Sequence, residues 1–330
     1  MAIGKIFLTG ATGYVGERLA LRLAEEGWEV HALFRDKAKA AALSHPRIRL
    51  FPGDVTQPQS LEAACAGCDT VIHTAAFLAV WTRDRSLFDK VNVGGTQAVW
   101  HAAREAGTQT FIYTSTAGSL GPSAGELVQE DSPRRFPFFN DYERSKAEAE
   151  AWLLGQPPAM RTMVLHLTRV FGPGQLSEAN ATTRLMKQVA EGRWRIIPGG
   201  GEKQGNYVYI EDVIEGHLLA LAAGKPGERY IIGGENLSFD AFFQRVRALA
   251  GSKQRFFHLP TPLILASAHL MELAARWGGI QPAITPAWAR RYLFDWKLSS
   301  DKALRELGYR SRPFDEAAQS TLAWLSRLNP

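Results

Sequence analysis

Cysteine is scarce: Cys65 and Cys68 are the two in 330 residues. They form a CxxC in Ala-Ala-Cys-Ala-Gly-Cys-Asp, but a zinc site takes about four ligands and no second pair is present to complete one, so no metal is expected. Cys68 stands directly before Asp69-Thr70-Val71-Ile72, which reads as the start of a buried strand. The pair therefore reads as two small apolar residues at a helix end, with a thioredoxin-like redox pair as the alternative. Nothing here calls for an oxidising compartment. Long apolar runs are also missing. The longest candidate, Leu259 to Ala275, is broken by Pro260, Pro262, His269 and Glu272, and falls short of the ~20 apolar residues that cross a bilayer. Met1-Ala2-Ile3-Gly4-Lys5 leads straight into a strand without the layout of a signal peptide, so a cytoplasmic location and no transmembrane segment are expected. No Lys/Arg block tracks a phosphate backbone. The net charge of +5 is explained by a small anionic ligand at least as well as by nucleic acid, and no nucleic-acid partner is expected.

What is present is an ordinary globular balance, 45% hydrophobic and 22% charged, with enough apolar residues for a sizeable core. Strand and helix signals alternate through the first half. Ile6-Phe7-Leu8 is a short apolar run closed by glycine; Leu19 and Leu23 recur at helical spacing up to Gly27; Val30 to Phe34 and Ile48 to Phe51 are strands. A helix near Ser60 to Ala66, a strand at Thr70 to His73, a long helix over Ser86 to Glu105 and a strand at Thr110 to Thr114 follow. This rhythm predicts an α/β fold, a doubly wound parallel sheet of Rossmann type, with a smaller and mostly helical substrate-binding part. The expected division is 1–170 for dinucleotide binding, with a later segment of about 205–235 returning to it, and 171–330 for the substrate. Further expected elements are a helix from Tyr142 to Leu154, strands at Met163 to Leu167 and 207–210, and a largely helical C-terminal third.

Leu8-Thr9-Gly10-Ala11-Thr12-Gly13-Tyr14-Val15-Gly16 follows the first strand and opens the first helix. In that context the glycines permit a tight turn and close backbone approach, and the helix N-terminus offers N–H donors to a pyrophosphate. Gly10, Thr12, Gly13, Tyr14, Val15 and Gly16 are the candidate contacts. About 20 residues on, the end of the second strand selects the adenosine ribose. Arg35 falls there, where a carboxylate would suit NAD, and a guanidinium suits a 2′-phosphate. With Lys37 and Lys39 nearby the reading favours NADP(H); Asp36 keeps NAD(H) open. Asp54 and Val55, ending the third strand, are placed at the adenine. Asp54 as a helix cap is the competing reading. Thr74, Ala75 and Ala76 follow the fourth strand and let backbone approach the cofactor. His73 reads as packed and hydrogen-bonded rather than catalytic.

Asp141-Tyr142-Glu143-Arg144-Ser145-Lys146 puts a phenol and an ammonium on one helix face, one turn apart. A phenol ionises near 10, and a neighbouring ammonium that favours phenolate makes it a better proton-transfer group at neutral pH. Phe111-Ile112-Tyr113-Thr114-Ser115-Thr116 delivers hydroxyls at a strand end, where one can donate to a substrate oxygen.

These pieces, together with Asn92-Val93-Gly94-Gly95-Thr96, Phe171-Gly172-Pro173-Gly174 and Tyr209-Ile210-Glu211-Asp212-Val213, resemble the extended short-chain dehydrogenase/reductases along essentially the whole chain. Phe34-Arg35-Asp36 and the segment Gly227 to Asn236 resemble the dihydroflavonol reductase-like branch, which includes bacterial hopanoid-associated sugar epimerase-like proteins. The resemblance implies Tyr142 as acid/base, Lys146 as its electrostatic partner, Thr116 as the aligned hydroxyl with Ser115 as its understudy, and Val170 among the cofactor contacts. Asn92 is a weaker active-site candidate, with a helix N-cap as its alternative. Where relatives acting on nucleotide sugars carry Arg-Pro and then Asn, this chain has His166-Leu167 and then Arg169. Where they carry Arg-Asp, it has Gly205-Asn206, so a sugar-nucleotide diphosphate loses several partners.

Phe256 to Leu265, Phe136-Pro137-Phe138-Phe139 and Trp81 are candidates for an apolar substrate pocket, with plain core or a subunit contact as the competing reading. The leading expectation is an NADP(H)-dependent reductase or alcohol dehydrogenase acting on a small hydrophobic substrate. An epimerase or dehydratase that retains its cofactor and a non-catalytic NADP(H)-binding protein are the other two. A homodimer through the long helices is what the resemblance implies.

Overall fold

The structure, a computed structural model, describes residues 3–278 and 281–328. Met1 and Ala2 of the N-terminal segment read above lie outside the described residues. Seven strands form one parallel sheet: β1 (Lys5–Thr9), β2 (Glu29–Phe34), β3 (Ile48–Pro52), β4 (Thr70–His73), β5 (Thr110–Thr116), β6 (Arg161–Leu167) and, much later in the chain, Arg229–Ile232. Between β6 and that last strand come β7 (Arg169–Phe171), β8 (Ile196–Pro198) and β9 (Gln204–Tyr209), which makes Arg229–Ile232 β10; β11 (Glu235–Ser238) and β12 (Phe257–Leu259) follow. The spatial order of the large sheet is β3-β2-β1-β4-β5-β6-β10. A smaller sheet has the order β11-β9-β7, and β12 pairs with β8.

The central strands are apolar on both faces because both are covered, as parallel sheets require. Successive side chains alternate sides. Ile6, Leu8 and Ile112 pack towards the helices Tyr14–Glu25 and Ile210–Ala223, whereas Phe7, Phe111 and Tyr113 pack with Val99 and Trp100 of Gly95–Glu105 and with Ala149 and Leu153 of Asp141–Leu154. The Asp141–Leu154 helix begins where it does because Asn140 accepts a hydrogen bond from the Glu143 N–H at 2.9 Å, with Asp141 and Glu143 facing the positive end of the helix dipole. Tyr142 thus sits in the first turn of that helix.

Two elements differ from their sequence reading. The strand expected at 207–210 runs over Gln204–Tyr209, and Ile210 opens the next helix, whose first turn carries Glu211 and Asp212. The Ser86–Glu105 helix contains a wide π turn at Asp89–Gly94. Cys65 and Cys68 are buried free thiols in the core beneath β4, and burial pushes them up to about 11 and about 12 respectively. A thiolate, the reactive form, is therefore disfavoured there. No helix among the described residues is long and apolar enough to cross a membrane.

Candidate active site

The strand order reverses between β2-β1 and β4, and in open α/β sheets the crevice beyond the carboxyl ends at such a switch point is where ligands sit. A cavity of about 610 Å³ opens there. Its floor is the glycine turn after β1. Gly10 has φ +70°, and a Cβ on it would meet the Ala75 nitrogen and the Thr74 hydroxyl, each at 2.6 Å. At Gly16 a Cβ would lie 2.1 Å from the Gly10 carbonyl oxygen. The turn is thus pressed against the end of β4 as no residue with a side chain allows, and Gly13 stands at the N-cap of the Tyr14–Glu25 helix, which opens into the cavity. Tyr14 donates to the Gly172 carbonyl at 3.2 Å and Gln175 donates to the Thr12 carbonyl at 3.1 Å, closing the turn from the other side. A tight backbone cradle at a helix N-terminus fits a dinucleotide pyrophosphate.

Of the residues singled out in the sequence, Gly10, Thr12, Gly13, Tyr14, Val15, Gly16, Arg35, Lys39, Val55, Thr74, Ala75, Ala76, Ser115, Thr116, Tyr142 and Val170 line this one cavity. Arg35 lies 3.5 Å from the Asp54 carboxylate. Burial pushes that carboxyl up, but hydrogen bonds from the Thr56 N–H and hydroxyl and the Arg35 guanidinium outweigh it and hold Asp54 below the usual carboxylate range. Asp54 itself is absent from the cavity wall, which is formed there by Gly53 and Val55.

At the other end, Thr116 leaves β5 and caps the short helix Ala117–Leu120, its hydroxyl accepting from the Gly118 N–H at 3.1 Å. Ser115 points away from that position: its hydroxyl donates to Glu150 at 3.0 Å. Burial pushes the Tyr142 phenol up to about 12, and the cation that opposes the shift is Arg291. Lys146 is almost wholly buried, stands behind the cavity wall, and donates to the Thr114 carbonyl at 2.8 Å. Burial lowers its ammonium to about 7, with Glu150 acting in the opposite direction. His73 is fully buried between the Thr9 and Thr96 hydroxyls, at 2.6 and 3.0 Å. Burial, reinforced by the Lys146 cation, holds it neutral down to about 3.

Asn92 is not a helix cap. It sits in the π turn, its amide oxygen accepts from the Phe77 N–H at 2.7 Å, and its amide nitrogen donates to the Phe77 carbonyl and to Ser145 at 3.1 and 2.9 Å. It ties the loop after β4 to the helix that carries Tyr142. The aromatic candidates for the substrate pocket lie elsewhere. Phe256 packs on Phe243, Phe257 is exposed, Phe138 covers Arg134, and Phe136 and Phe139 pack against Phe294; none of them, nor Trp81, lines the cavity.

The walls at that end are Leu78, Leu167, Arg169, Trp288 and Arg291. Arg291 was not visible in the sequence. It pairs with the fully buried Glu143, which also binds Arg134 at 3.2 Å, and it lies 4.1 Å from the centre of the Trp296 ring. A Trp–Arg–Trp alternation at 288, 291 and 296 is the signal that marks it. Two of the departures from the nucleotide-sugar pattern have local structural reasons. A Cβ at Gly205 would lie 2.9 Å from the Arg169 guanidinium, so glycine leaves the room that Arg169 fills. Asn206 is spent on the Gly234 backbone and Asn236.

The sequence profile of the NAD dependent epimerase/dehydratase family matches residues 6–233. The chain is 29% identical over 331 residues to a 3-beta-hydroxysteroid dehydrogenase of Mycolicibacterium neoaurum, covering 93% of this chain and 87% of that one. It is 29% identical over 324 residues to the sterol demethylase protein B of Methylococcus capsulatus, covering 96% and 97%. Its structure superposes on the crystal structure of gox2253 with a TM-score of 0.84 and 31% sequence identity, covering 99% of each chain. The chain belongs to the NAD dependent epimerase/dehydratase family, as an enzyme of the extended short-chain dehydrogenase/reductase kind.

Proposed function

We propose that the protein is an NADP(H)-dependent oxidoreductase that interconverts a carbonyl and an alcohol on a small, hydrophobic substrate. The observation that carries this reading is the Tyr142 phenol, set in the wall of a cavity that the glycine turn and the strand-end Thr116 share, and one helical turn from Lys146. When bound, the nicotinamide supplies or accepts hydride. The protein's own groups manage the proton and the charge: Thr116 donates a hydrogen bond to the substrate oxygen, and the Tyr142 hydroxyl gives that oxygen its proton in reduction or takes it in oxidation. Arg291 supplies a positive field that favours phenolate once the proton has left, and Lys146, one turn along the same helix, is assigned the same part. Ser115, engaged by Glu150, shapes the strand end next to Thr116.

Arg35 and Lys39, both in the wall at the adenosine end, support NADP(H) over NAD(H). The names of the steroid and sterol relatives, and Leu78, Leu167 and Trp288 in the wall, support an apolar ring-bearing substrate. The reading includes a homodimer through the helices Gly95–Glu105 and Asp141–Leu154, and a reducing, cytoplasmic setting that suits two buried thiols.

One observation favours a second reading. Arg169 and Arg291, two cations in the wall near Tyr142, suit an anionic group such as a sugar-nucleotide diphosphate and an epimerase that retains its cofactor. Incubating the enzyme with NADPH and a panel of ketosteroids, flavonoids and nucleotide sugars separates the two. Stoichiometric loss of NADPH absorbance with a ketone supports the oxidoreductase; conversion of a nucleotide sugar without net loss of cofactor replaces it with the epimerase.

A further inference from the structure

Tyr142, Lys146 and Glu150 recur every four residues, so they share one face of their helix, each a turn apart. The first two belong to the chemistry proposed above. Glu150 has no part in it, yet this carboxylate is buried and heavily engaged. It receives the Ser115 hydroxyl at 3.0 Å, the Ser119 hydroxyl at 3.3 Å and His166 Nε2 at 2.9 Å, and Arg229 stands 3.9 Å away. Burial pushes Glu150 up, but His166 first, then Ser115 and Arg229, hold it below the usual carboxylate range. It is therefore an anion at neutral pH. His166 is wholly buried and its Nδ1 has no partner, so its hydrogen bonding is spent on Glu150 alone.

The groups around Lys146 give this anion a purpose. From β5 come the Tyr113 ring, 3.9 Å below the ammonium, and the Thr114 carbonyl at 2.8 Å; from β4 comes His73, which burial keeps neutral; on its own helix stand Tyr142 and Glu150. Neither a ring face nor one carbonyl offsets the loss of water around a buried ammonium. Glu150, one turn further along the same helix, is the carboxylate placed to offset it. The same carboxylate also grips the strand end: Ser115 bonds it directly, and Ser119, which bonds it too, donates to the Thr116 carbonyl at 2.7 Å.

We propose that Glu150, fixed by His166, is a positioning residue that sets a negative charge one helical turn from the Lys146 ammonium and holds the Ser115–Thr116 strand end against the catalytic helix. It touches neither substrate nor cofactor and acts through Lys146 and Thr116. The inference rests on the role given to Lys146 in the proposed function, and its test is independent of any substrate.

The protein is labelled at lysine Cε with carbon-13, and the Lys146 signal is assigned by its loss in Lys146→Arg. Its titration midpoint is expected at about 7 in the wild type. In Glu150→Gln, which keeps the shape and removes the charge, the midpoint falls; in Glu150→Asp it returns towards the wild-type value. His166→Leu removes the group that does most to hold Glu150 ionised, while Ser115, Ser119 and Arg229 remain, so the midpoint falls by less than in Glu150→Gln, which keeps the question open to test should Glu150→Gln fail to fold. In the pH profile of kcat/KM the alkaline limb of Glu150→Gln moves to lower pH, and each unit of movement costs about tenfold in rate above it. An unchanged Lys146 midpoint in Glu150→Gln or in His166→Leu overturns the proposal, even if activity falls. A Tyr142→Phe variant with undiminished turnover overturns the proposed function and leaves the Lys146 titration untouched.

Discussion

The Lys146 ammonium lies 3.9 Å from the centre of the Tyr113 ring. An aromatic face attracts a cation, by ~2 kcal/mol when both are desolvated, and the Thr114 carbonyl adds a hydrogen bond at 2.8 Å. The contact helps explain how a nearly unexposed lysine is tolerated one helical turn from Tyr142.

Burial lowers the Lys146 ammonium to about 7 in the folded chain, against an ordinary value of 10.5. Between those values the unfolded chain binds more protons than the folded one, so stability rises as pH climbs from about 7 towards 10.5 and the penalty is complete below 7. Lys146→Met, which cannot titrate, is expected to gain more stability relative to wild type at pH 6 than at pH 10, by on the order of a few kcal/mol. Urea denaturation at the two pH values measures the difference. An equal offset at both would show that the lysine is charged in the fold across the whole range.

His73 and His217 are buried, and burial holds them neutral down to about 3 and about 4 respectively. Here the folded values lie below the ordinary 6.5, so the unfolded chain takes up protons first and stability falls as pH drops below 6.5. Each histidine is expected to remove about 2 kcal/mol by pH 5. His73→Gln should flatten the fall in the urea midpoint between pH 7 and pH 5 without abolishing it, since His217, held neutral by burial, still contributes. A slope identical to wild type would mean that His73 is not the proton-linked group.

In the proposed function Arg35 meets a 2′-phosphate. Arg35→Asp should lower the ratio of NADPH to NADH efficiency (kcat/KM) by roughly 10- to 100-fold, because a charge-assisted contact is replaced by a repulsive one. The ratio is read from initial rates with each cofactor. No change in it removes the basis for preferring NADP(H).

How far these features were legible in the sequence depends on how far apart their partners lie. The sheet was readable because strands buried on both faces must be continuously apolar, as in Ile6-Phe7-Leu8, and because Gly10 and Gly16 can hold no other residue where they stand. The cofactor wall was readable for the same reason: its residues follow strands whose ends the pattern marks. The opposite wall was not. Arg291 meets Glu143 across 148 positions of sequence, through an ion pair that no periodicity announces. The apolar stretch Phe256 to Leu265 attracted a pocket assignment by composition alone, yet it belongs to a strand beside β8 and a helix on the outer side of the molecule. His166 was visible as a departure from a family pattern, but its pairing with Glu150 needed the register that sets β6 beside β5.

The central claim is that the Tyr142 hydroxyl carries the proton. Its most direct test is single-turnover hydride transfer by Tyr142→Phe, using NADPH and the best carbonyl substrate from the panel, with NADPH affinity measured alongside by fluorescence. The account predicts an unchanged affinity, within about twofold, and a transfer rate lower by roughly 10²- to 10⁴-fold. Transfer at the wild-type rate by a variant that still binds NADPH would contradict it.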